Sequence, residues 1–402
     1  MQLSVGRANP PGEPRLGGDA SPYLKQRRFV VKIQAPTKPA LPACVWRWRC
    51  VDRGVRPLAD LSMPEFEQLV ASWGHPTVHA RKLLRRYYMG SGTVEWDRIQ
   101  LPKGFRERVE ALGLSTTTVA ARQEDPDGTV KLLLRLADGQ TVETVLMADH
   151  RADRAAGCLS TQVGCAMGCD FCATAQGGLL RSLTAGEIVE QFFHLRREAA
   201  RVGKELRTIV MMGMGEPLAN LAAVLPAAHR IGWGELGAVG FAQITVSTVG
   251  LVPKIDELAA SGVPVALALS LHAPDDETRR RLLPTARRYG VEEVLAAADR
   301  YQEKTGRIVN IQYCLLRGVN DSPAQARQLA TLLEKRRMHV NLLTYNPTGP
   351  GLSGMAYEPP PRETVGVFLD ELHARGIVAH FRRPRGATID GACGQLRART
   401  GG

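Results

Sequence analysis

The sequence predicts an α/β protein: a small α+β unit followed by a run of βα units. Three observations predict it. From residue 157 onward, apolar stretches of strand length alternate with amphipathic helical periods. Polar motifs follow one strand candidate after another, as they do in folds whose chemistry collects at the carboxyl ends of parallel strands. The composition is that of a globular chain with a large core: 402 residues, 44% hydrophobic and 23% charged.

Residues 1–57 contain eight prolines and no sustained period. They read as a basic, Pro-rich, disordered extension. Trp46-Arg47-Trp48-Arg49 gives the same stretch a second reading, as a basic arm for a polyanion. The formal net charge is +12, and residues 1–58 carry +8 of it. The charge is therefore mostly a property of the tail, not of a basic active site.

Residues 58–150 read as a small accessory α+β domain. Ser62-Met-Pro-Glu65 is a capping box with an early proline, and it opens a helix to about residue 73. An Arg-rich helix follows at 78–88. Strands at 129–136 and 140–147 meet at Asp138-Gly139, a hairpin signal.

Residues 151–396 read as the catalytic core, and 397–402 as a tail. Strand candidates lie at 206–212, 242–247, 263–271, 308–316, 340–345 and 378–382. Thr184-Ala-Gly-Glu187 caps a helix that buries Ile188, Phe192 and Leu195. Ser322-Pro323 opens another, with Ala326, Leu329 and Leu333 on one face. A last helix carries Phe368, Leu369 and Leu372 and ends at Gly376. Such repeats make a parallel sheet, open or rolled into a barrel. No apolar run approaches a membrane span or the core of a secretory leader, so the expected compartment is the cytoplasm.

Eight cysteines are sparse for this length, which suits a reducing compartment. Cys44 and Cys50 have no telling context, and Cys314 reads as a core residue in an apolar strand. Cys165, Cys169 and Cys172 are different. Their Cys-x3-Cys-x2-Cys spacing puts three thiolates in one loop at the start of the βα repeats. Three ligands leave an iron–sulfur cluster one open iron at which a cofactor can bind. With Cys158 as a fourth ligand, the alternative is a closed structural zinc site. Phe171 supplies an aromatic ring beside the last cysteine.

Cys-x3-Cys-x-Phe-Cys resembles the signature of radical S-adenosylmethionine enzymes. Met212-Gly-Met-Gly-Glu-Pro217, Ser270-Leu-His272, Tyr345-Asn-Pro347 and Ala392-Cys-Gly-Gln-Leu396 narrow the resemblance to the RlmN/Cfr family of RNA adenine methyltransferases, over about residues 58–396. The resemblance implies a partial (β/α)6 barrel. It implies one [4Fe–4S] cluster on Cys165, Cys169 and Cys172, with S-adenosylmethionine on its open iron. Gly215, Glu216, Ser247, Ser270, Leu271, His272 and Asn346 match cofactor contacts. Cys393 matches the cysteine that is first methylated, Cys158 its later disulfide partner, and Glu143 the proton acceptor.

The chemistry so implied meets a real need. Carbon 2 of adenine is electron-poor, so a sulfonium methyl cannot be transferred to it directly. A radical generated from S-adenosylmethionine takes hydrogen from the methyl on Cys393 instead, and the carbon radical adds to the ring. A base removes the ring proton, and the Cys158 thiolate releases the product by forming a disulfide with Cys393. Without the resemblance, Glu143 would read as the solvated face of a hairpin.

The resemblance further implies a monomer acting on 23S rRNA at the peptidyl-transferase centre and on tRNA beside the anticodon. It implies a low-potential electron donor such as flavodoxin or ferredoxin, and no membrane. A Cfr-type enzyme methylating C8 is the near alternative, and a non-catalytic zinc-bearing RNA-binding protein the far one. Thr388 and Gly391 depart from the family's usual aspartate and alanine. Residues 81–86 and the Arg382-Arg-Pro-Arg385 run are candidate phosphate contacts.

Overall fold

Local signals open the chain. In the computed structural model, which describes residues 56–148, 151–382, 385–386, 389 and 394–399, Ser62 caps α1 (Met63–Ser72) through a complete capping box with Glu65. The Trp-Arg run at 46–49, Thr388, Gly391 and Cys393 lie outside the described residues. α2 (Val78–Met89) buries Leu83, Leu84, Tyr87 and Tyr88. α3 (Phe105–Leu112), which the sequence reading did not identify, buries Phe105 and Val109.

Next come three antiparallel strands, β1 (Thr118–Glu124), β2 (Val130–Arg135) and β3 (Thr141–Ala148). The β2–β3 turn falls at Asp138-Gly139. There Gly139 takes φ +85° and the Asp138 carboxylate accepts the Gln140 N–H.

β4 (Arg154–Cys158) pairs antiparallel with β3 and parallel with β7 (Glu205–Met211). It was not foreseen, because Arg-Ala-Ala-Gly-Cys has little strand propensity. Packing explains the composition: a Cβ on Gly157 would stand 2.8 Å from Leu195 Cδ1. The helix carrying Leu195 is therefore seated directly on β4.

A small second sheet pairs β5 (Gln162–Gly164) with β6 (Leu179–Ser182), and α4 (Ala173–Gln176) lies between them in sequence. α5 (Ala185–Arg201) starts at the expected capping box, Thr184 with Glu187. The rest alternates: α6 (Leu221–Gly232), β8 (Ile244–Thr248), α7 (Val252–Ala260), β9 (Ala266–Ser270), α8 (Asp276–Leu282), α9 (Val291–Thr305), β10 (Val309–Leu315), α10 (Pro323–Leu333), β11 (Met338–Thr344), α11 (Arg362–His373), β12 (Ala379–Arg382) and α12 (Gln395–Arg399).

One sheet of ten strands results, in the order β1-β2-β3-β4-β7-β8-β9-β10-β11-β12. The strands from β4 to β12 run parallel. The boundary expected at 150/151 falls between β3 and β4, which are neighbours in this sheet. The hairpin of the N-terminal unit thus extends the sheet of the βα repeats.

A polar clasp adds to this continuity. Glu190 of α5 is buried, and it accepts the N–H groups of Thr116 and Thr117 and the hydroxyls of Ser115, Thr116 and Thr117. Thr117 Oγ1 gives its proton to Glu190 and so accepts from His194 Nε2 at 3.0 Å, while His194 Nδ1 accepts from Arg197. His194 is neutral in this arrangement. Burial, and then the Arg197 guanidinium, pull its pKa from 6.5 down to about 4. Among the described residues, no helix is long and apolar enough to cross a membrane.

The depressed pKa has a measurable consequence. Below pH 6.5 the unfolded chain binds a proton at His194 that the folded chain refuses, so this contribution to stability is lost as pH falls from 6.5 through about 4. Urea midpoints of wild type should fall more steeply over that window than those of His194→Asn. Equal slopes would show that His194 is not held neutral.

Candidate active site at the strand ends

The site begins with a loop that the backbone following β4 leaves no room to change. Gly213-Met-Gly-Glu216 follows β7. Gly213 N–H donates to Leu159 O, and Met214 O accepts from both Thr161 and Gln162 N–H. Gly215 has φ +104°, and a Cβ there would lie 2.6 Å from Gln162 Cβ and 2.8 Å from its backbone N. Only glycine fits both the conformation and the space. The two glycines let this loop lie directly on the segment that follows β4.

Glu216 comes next, and it is buried. Its two carboxylate oxygens accept Leu218 N–H and Val249 N–H, each at 3.0 Å. Burial pushes its pKa up to about 7, against those bonds and the Thr248 hydroxyl. A buried carboxylate in this position gains from a cationic ligand such as an ammonium group.

Ser247 lies near the end of β8, Ser270 ends β9, and Leu271 and His272 follow it. Asn346 lies two residues past β11. Gly215, Glu216 and all five of these residues thus stand at the carboxyl ends of parallel strands. His272 takes φ +59°, a strained conformation for a side-chain-bearing residue. It is held there by Asn320, whose amide donates to His272 O, and by Cys314 N–H, which donates to His272 Nδ1 at 3.0 Å. The imidazole proton is therefore on Nε2. Burial, then Arg279, lower its pKa to about 3, so the ring is neutral.

Arg279 is a residue that sequence reading missed. It is fully buried and donates to three backbone carbonyls: Leu271, Tyr289 and Val249. Val249 in turn donates its N–H to Glu216. One guanidinium therefore ties the loops after β8 and β9 to each other. In the sequence it is one arginine of a Thr278-Arg-Arg-Arg281 run, and nothing local marks it from its exposed neighbours.

The cysteine loop follows β5. Cys165 N–H donates to Gly178 O, and Cys172 N–H to Cys169 O. Phe171 meets the His272 ring edge-on, with centroids 5.2 Å apart. Asp170 anchors the loop outward. It accepts from Ser353 N–H and Oγ and from the Tyr357 hydroxyl, and these bonds outweigh burial and hold its carboxyl below the usual range.

Burial pushes the Cys165 thiol up to about 11 and the Cys169 thiol well above its ordinary value, and the neighbouring thiols raise both further. A bare thiolate triplet is unfavourable here, and a cationic iron centre supplies the charge that offsets it. Among the described residues, no three His, Cys, Asp or Glu side chains converge as a single metal ion requires. A zinc ion needs its sulfurs about 2.3 Å from one point. A cubane cluster spreads its ligands around a wider body, and three cysteines in one loop, Cys165, Cys169 and Cys172, are the number that leaves such a cluster one open iron.

The second pair of cysteines leads to Glu143. It is not on a solvated face: Glu143 is 2% exposed, and so is its partner Lys131 at 1%, with Nζ 2.9 Å from Oε2. The same Oε2 accepts Gly394 N–H at 2.9 Å, and Oε1 accepts Arg397 N–H at 2.8 Å. The backbone of Glu143 is knit to the glycine loop, since Ser160 Oγ donates to Glu143 O and accepts Met214 N–H.

Cys158 pairs with Val145 across β3 and β4, and Thr144 Oγ1 donates to Cys158 O. Residues directly opposite in an antiparallel pair share a face, and so do residues two apart. Cys158 and Glu143 are therefore on one face of the sheet. Gly394, the neighbour of Cys393, also touches the far side of the site. With φ +90°, a Cβ on it would lie 2.8 Å from Thr174 Oγ1, two residues past Cys172. Gln395 donates to Pro347 O, next to Asn346. The residue after Cys393 is thus packed between β3 and the cysteine loop.

The candidate phosphate contacts divide. Arg81 and Arg85 are paired with Glu67 and Glu235, while Lys82 and Arg86 are exposed. Arg382 donates to Asn341.

This fold and donor set are those of a radical S-adenosylmethionine enzyme, and the Radical SAM superfamily matches residues 159–330. Such enzymes work with a [4Fe–4S] cluster and S-adenosylmethionine. The chain is 59% identical over 345 residues to the probable dual-specificity RNA methyltransferase RlmN 1 of Opitutus terrae, covering 86% of this chain and 97% of that one. It is 43% identical over 371 residues to the probable dual-specificity RNA methyltransferase RlmN of Symbiobacterium thermophilum, covering 90% and 96%. A crystal structure of a radical SAM methyltransferase from Sphaerobacter thermophilus superposes with a TM-score of 0.79 at 44% identity, over 85% of this chain and 98% of that chain. The chain belongs to the RlmN family. Membership sets aside the reading as a non-catalytic zinc-bearing protein.

The glycine loop yields a direct test. Gly215→Ala should displace Glu216 and weaken S-adenosylmethionine binding at least about tenfold, equivalent to about 1.4 kcal/mol, with the cluster's visible absorbance retained. Equilibrium dialysis with reconstituted protein measures this. Unchanged affinity would remove Gly215 and Glu216 from the cofactor site.

Proposed function

We propose that this protein is a radical S-adenosylmethionine RNA methyltransferase that makes 2-methyladenosine in 23S rRNA, at the peptidyl-transferase centre, and in tRNA beside the anticodon. The observation that carries this reading is Glu143. Its carboxylate holds Gly394 and Arg397, on either side of Gln395-Leu396, while Cys158 shares its face of the sheet.

Cys165, Cys169 and Cys172 hold the cluster, and Gly215, Glu216, Ser247, Ser270, Leu271, His272 and Asn346 hold S-adenosylmethionine. When bound, cluster and cofactor supply the radical that starts the chemistry. Cys393 carries the methyl carbon to adenine. Glu143 receives the ring proton: among the described residues, Lys131, Gly394 and Arg397 take three of the carboxylate's four lone-pair sites, leaving one on Oε1. One further electron leaves the adduct, with the cluster as its acceptor; the Cys158 thiolate then attacks the Cys393 sulfur to form the disulfide, and the released carbon takes up a proton to become the product methyl. Neutral His272 packs against Phe171 and adds no charge to the cofactor pocket. A flavodoxin or ferredoxin supplies the electron.

RNA mass spectrometry after deletion and complementation tests this. The gene should restore 2-methyladenosine to a deletion strain, and Cys393→Ala should fail to, while its purified form keeps the brown cluster. Restoration of 8-methyladenosine alone would assign the C8 reaction instead, and full activity of Cys393→Ala would rule out the methyl-cysteine route.

A further inference from the structure

We propose that the exposed face of α8 and the turn after it is the docking surface for an acidic carrier protein that delivers the electron to the cluster. The proposal rests on the cluster assignment above. It adds the place where the donor binds.

Residues 276–288 fold over the cysteine loop from the β9 side. Asp170 N–H donates to Leu282 O at 2.9 Å. A Cβ on Gly168 would lie 3.4 Å from Pro284 Cγ. Leu282, Leu283 and Ala286 belong to a small apolar cluster, separate from the main core, against which Cys169 and Phe171 pack. The inner side of this segment therefore touches the cysteine loop itself.

The outer side is basic. Arg280, Arg281, Arg287 and Arg288 are all exposed. Arg280 has Asp276 at 3.4 Å, a solvent-exposed pair of little strength. Among the described residues, Arg287 and Arg288 have no ion-pair partner, and Arg288 is oriented by the Tyr289 ring at 5.3 Å. The nearby acids are used inward: Asp275 accepts Thr278 N–H, and Asp276 accepts Val291 N–H. Glu277 is exposed, at the opposite end of α8 from the turn.

A face with one sign of charge steers a partner of the other sign and sets its orientation. Here that orientation puts the partner's redox centre against the thin layer that covers the cluster, which matters because electron transfer slows steeply with distance. The step is simple in balance: one electron leaves the carrier's reduced flavin or iron–sulfur centre and enters the cluster, with no group transferred. RNA also seeks basic surfaces. Its adenine, however, must reach the C-terminal loop held at β3, and β3 is four strands from β9 in the sheet order. A carrier on this face and an RNA at β3 need not compete.

The test uses reconstituted full-length protein, a chemically reduced acidic flavodoxin, and dithionite as a small reductant that needs no docking site. Arg287→Glu/Arg288→Glu should bind flavodoxin at least tenfold more weakly at low salt, and its cluster should be reduced correspondingly more slowly by flavodoxin. Bleaching by dithionite and binding of an rRNA fragment should match wild type. Wild-type flavodoxin affinity in the double variant would overturn the docking surface. Loss of RNA binding with flavodoxin binding intact would overturn it in favour of an RNA surface. A wild-type protein that takes up no cluster would instead defeat the functional reading, and the docking surface with it.

Discussion

A buried carboxylate is tolerable only if its charge is paired and most of its lone pairs are filled. At Glu143 that requirement draws the β2–β3 hairpin and the C-terminal segment together. Lys131 comes from β2, and Gly394 and Arg397 come from the segment around Cys393. Removing any one partner leaves buried charge or a buried N–H unsatisfied. The C-terminal loop is thereby tied to the strand beside Cys158, far from it in sequence. In the proposed function, this is what makes the hairpin of the N-terminal unit part of the active site.

The cofactor side is built on a different principle. There the backbone is the scaffold, and side chains outside the expected cofactor contacts hold it. Arg279 gathers the carbonyls of Val249, Leu271 and Tyr289, and Asn320 holds the strained His272 in place. Ser160 joins the two sides, since its hydroxyl bonds both the Glu143 carbonyl and the Met214 N–H. A shift in the glycine loop would therefore be felt at Glu143.

What was legible in the chain follows from what is local. The capping boxes at Ser62 and Thr184 and the Ser322-Pro323 helix start are contiguous patterns, and all three open helices, Ser322 through a capping box with Gln325 that the sequence reading did not name. The strands of the βα repeats were found to within a few residues because their apolar runs are long. β4 was not, because its small residues have little strand propensity and Gly157 is required by Leu195 on α5, which no local pattern reports. Lys131 was legible in principle. The Asp138-Gly139 turn sets a register that puts Lys131 opposite Val145, two residues from Glu143 on the same face. Two opposite charges placed side by side on one face of a hairpin are a signal of an ion pair. Arg279 gives no such signal, since its partners are carbonyls of three separate loops.

The most direct test of this account is disulfide mapping of the purified, mildly oxidised protein by peptide mass spectrometry. If Glu143 seats the C-terminal loop beside β4, the dominant cross-linked peptide should join Cys158 to Cys393. The same link should become minor in Glu143→Ala. A dominant link that leaves out Cys393, or a Cys158–Cys393 link unaffected by loss of Glu143, would contradict it.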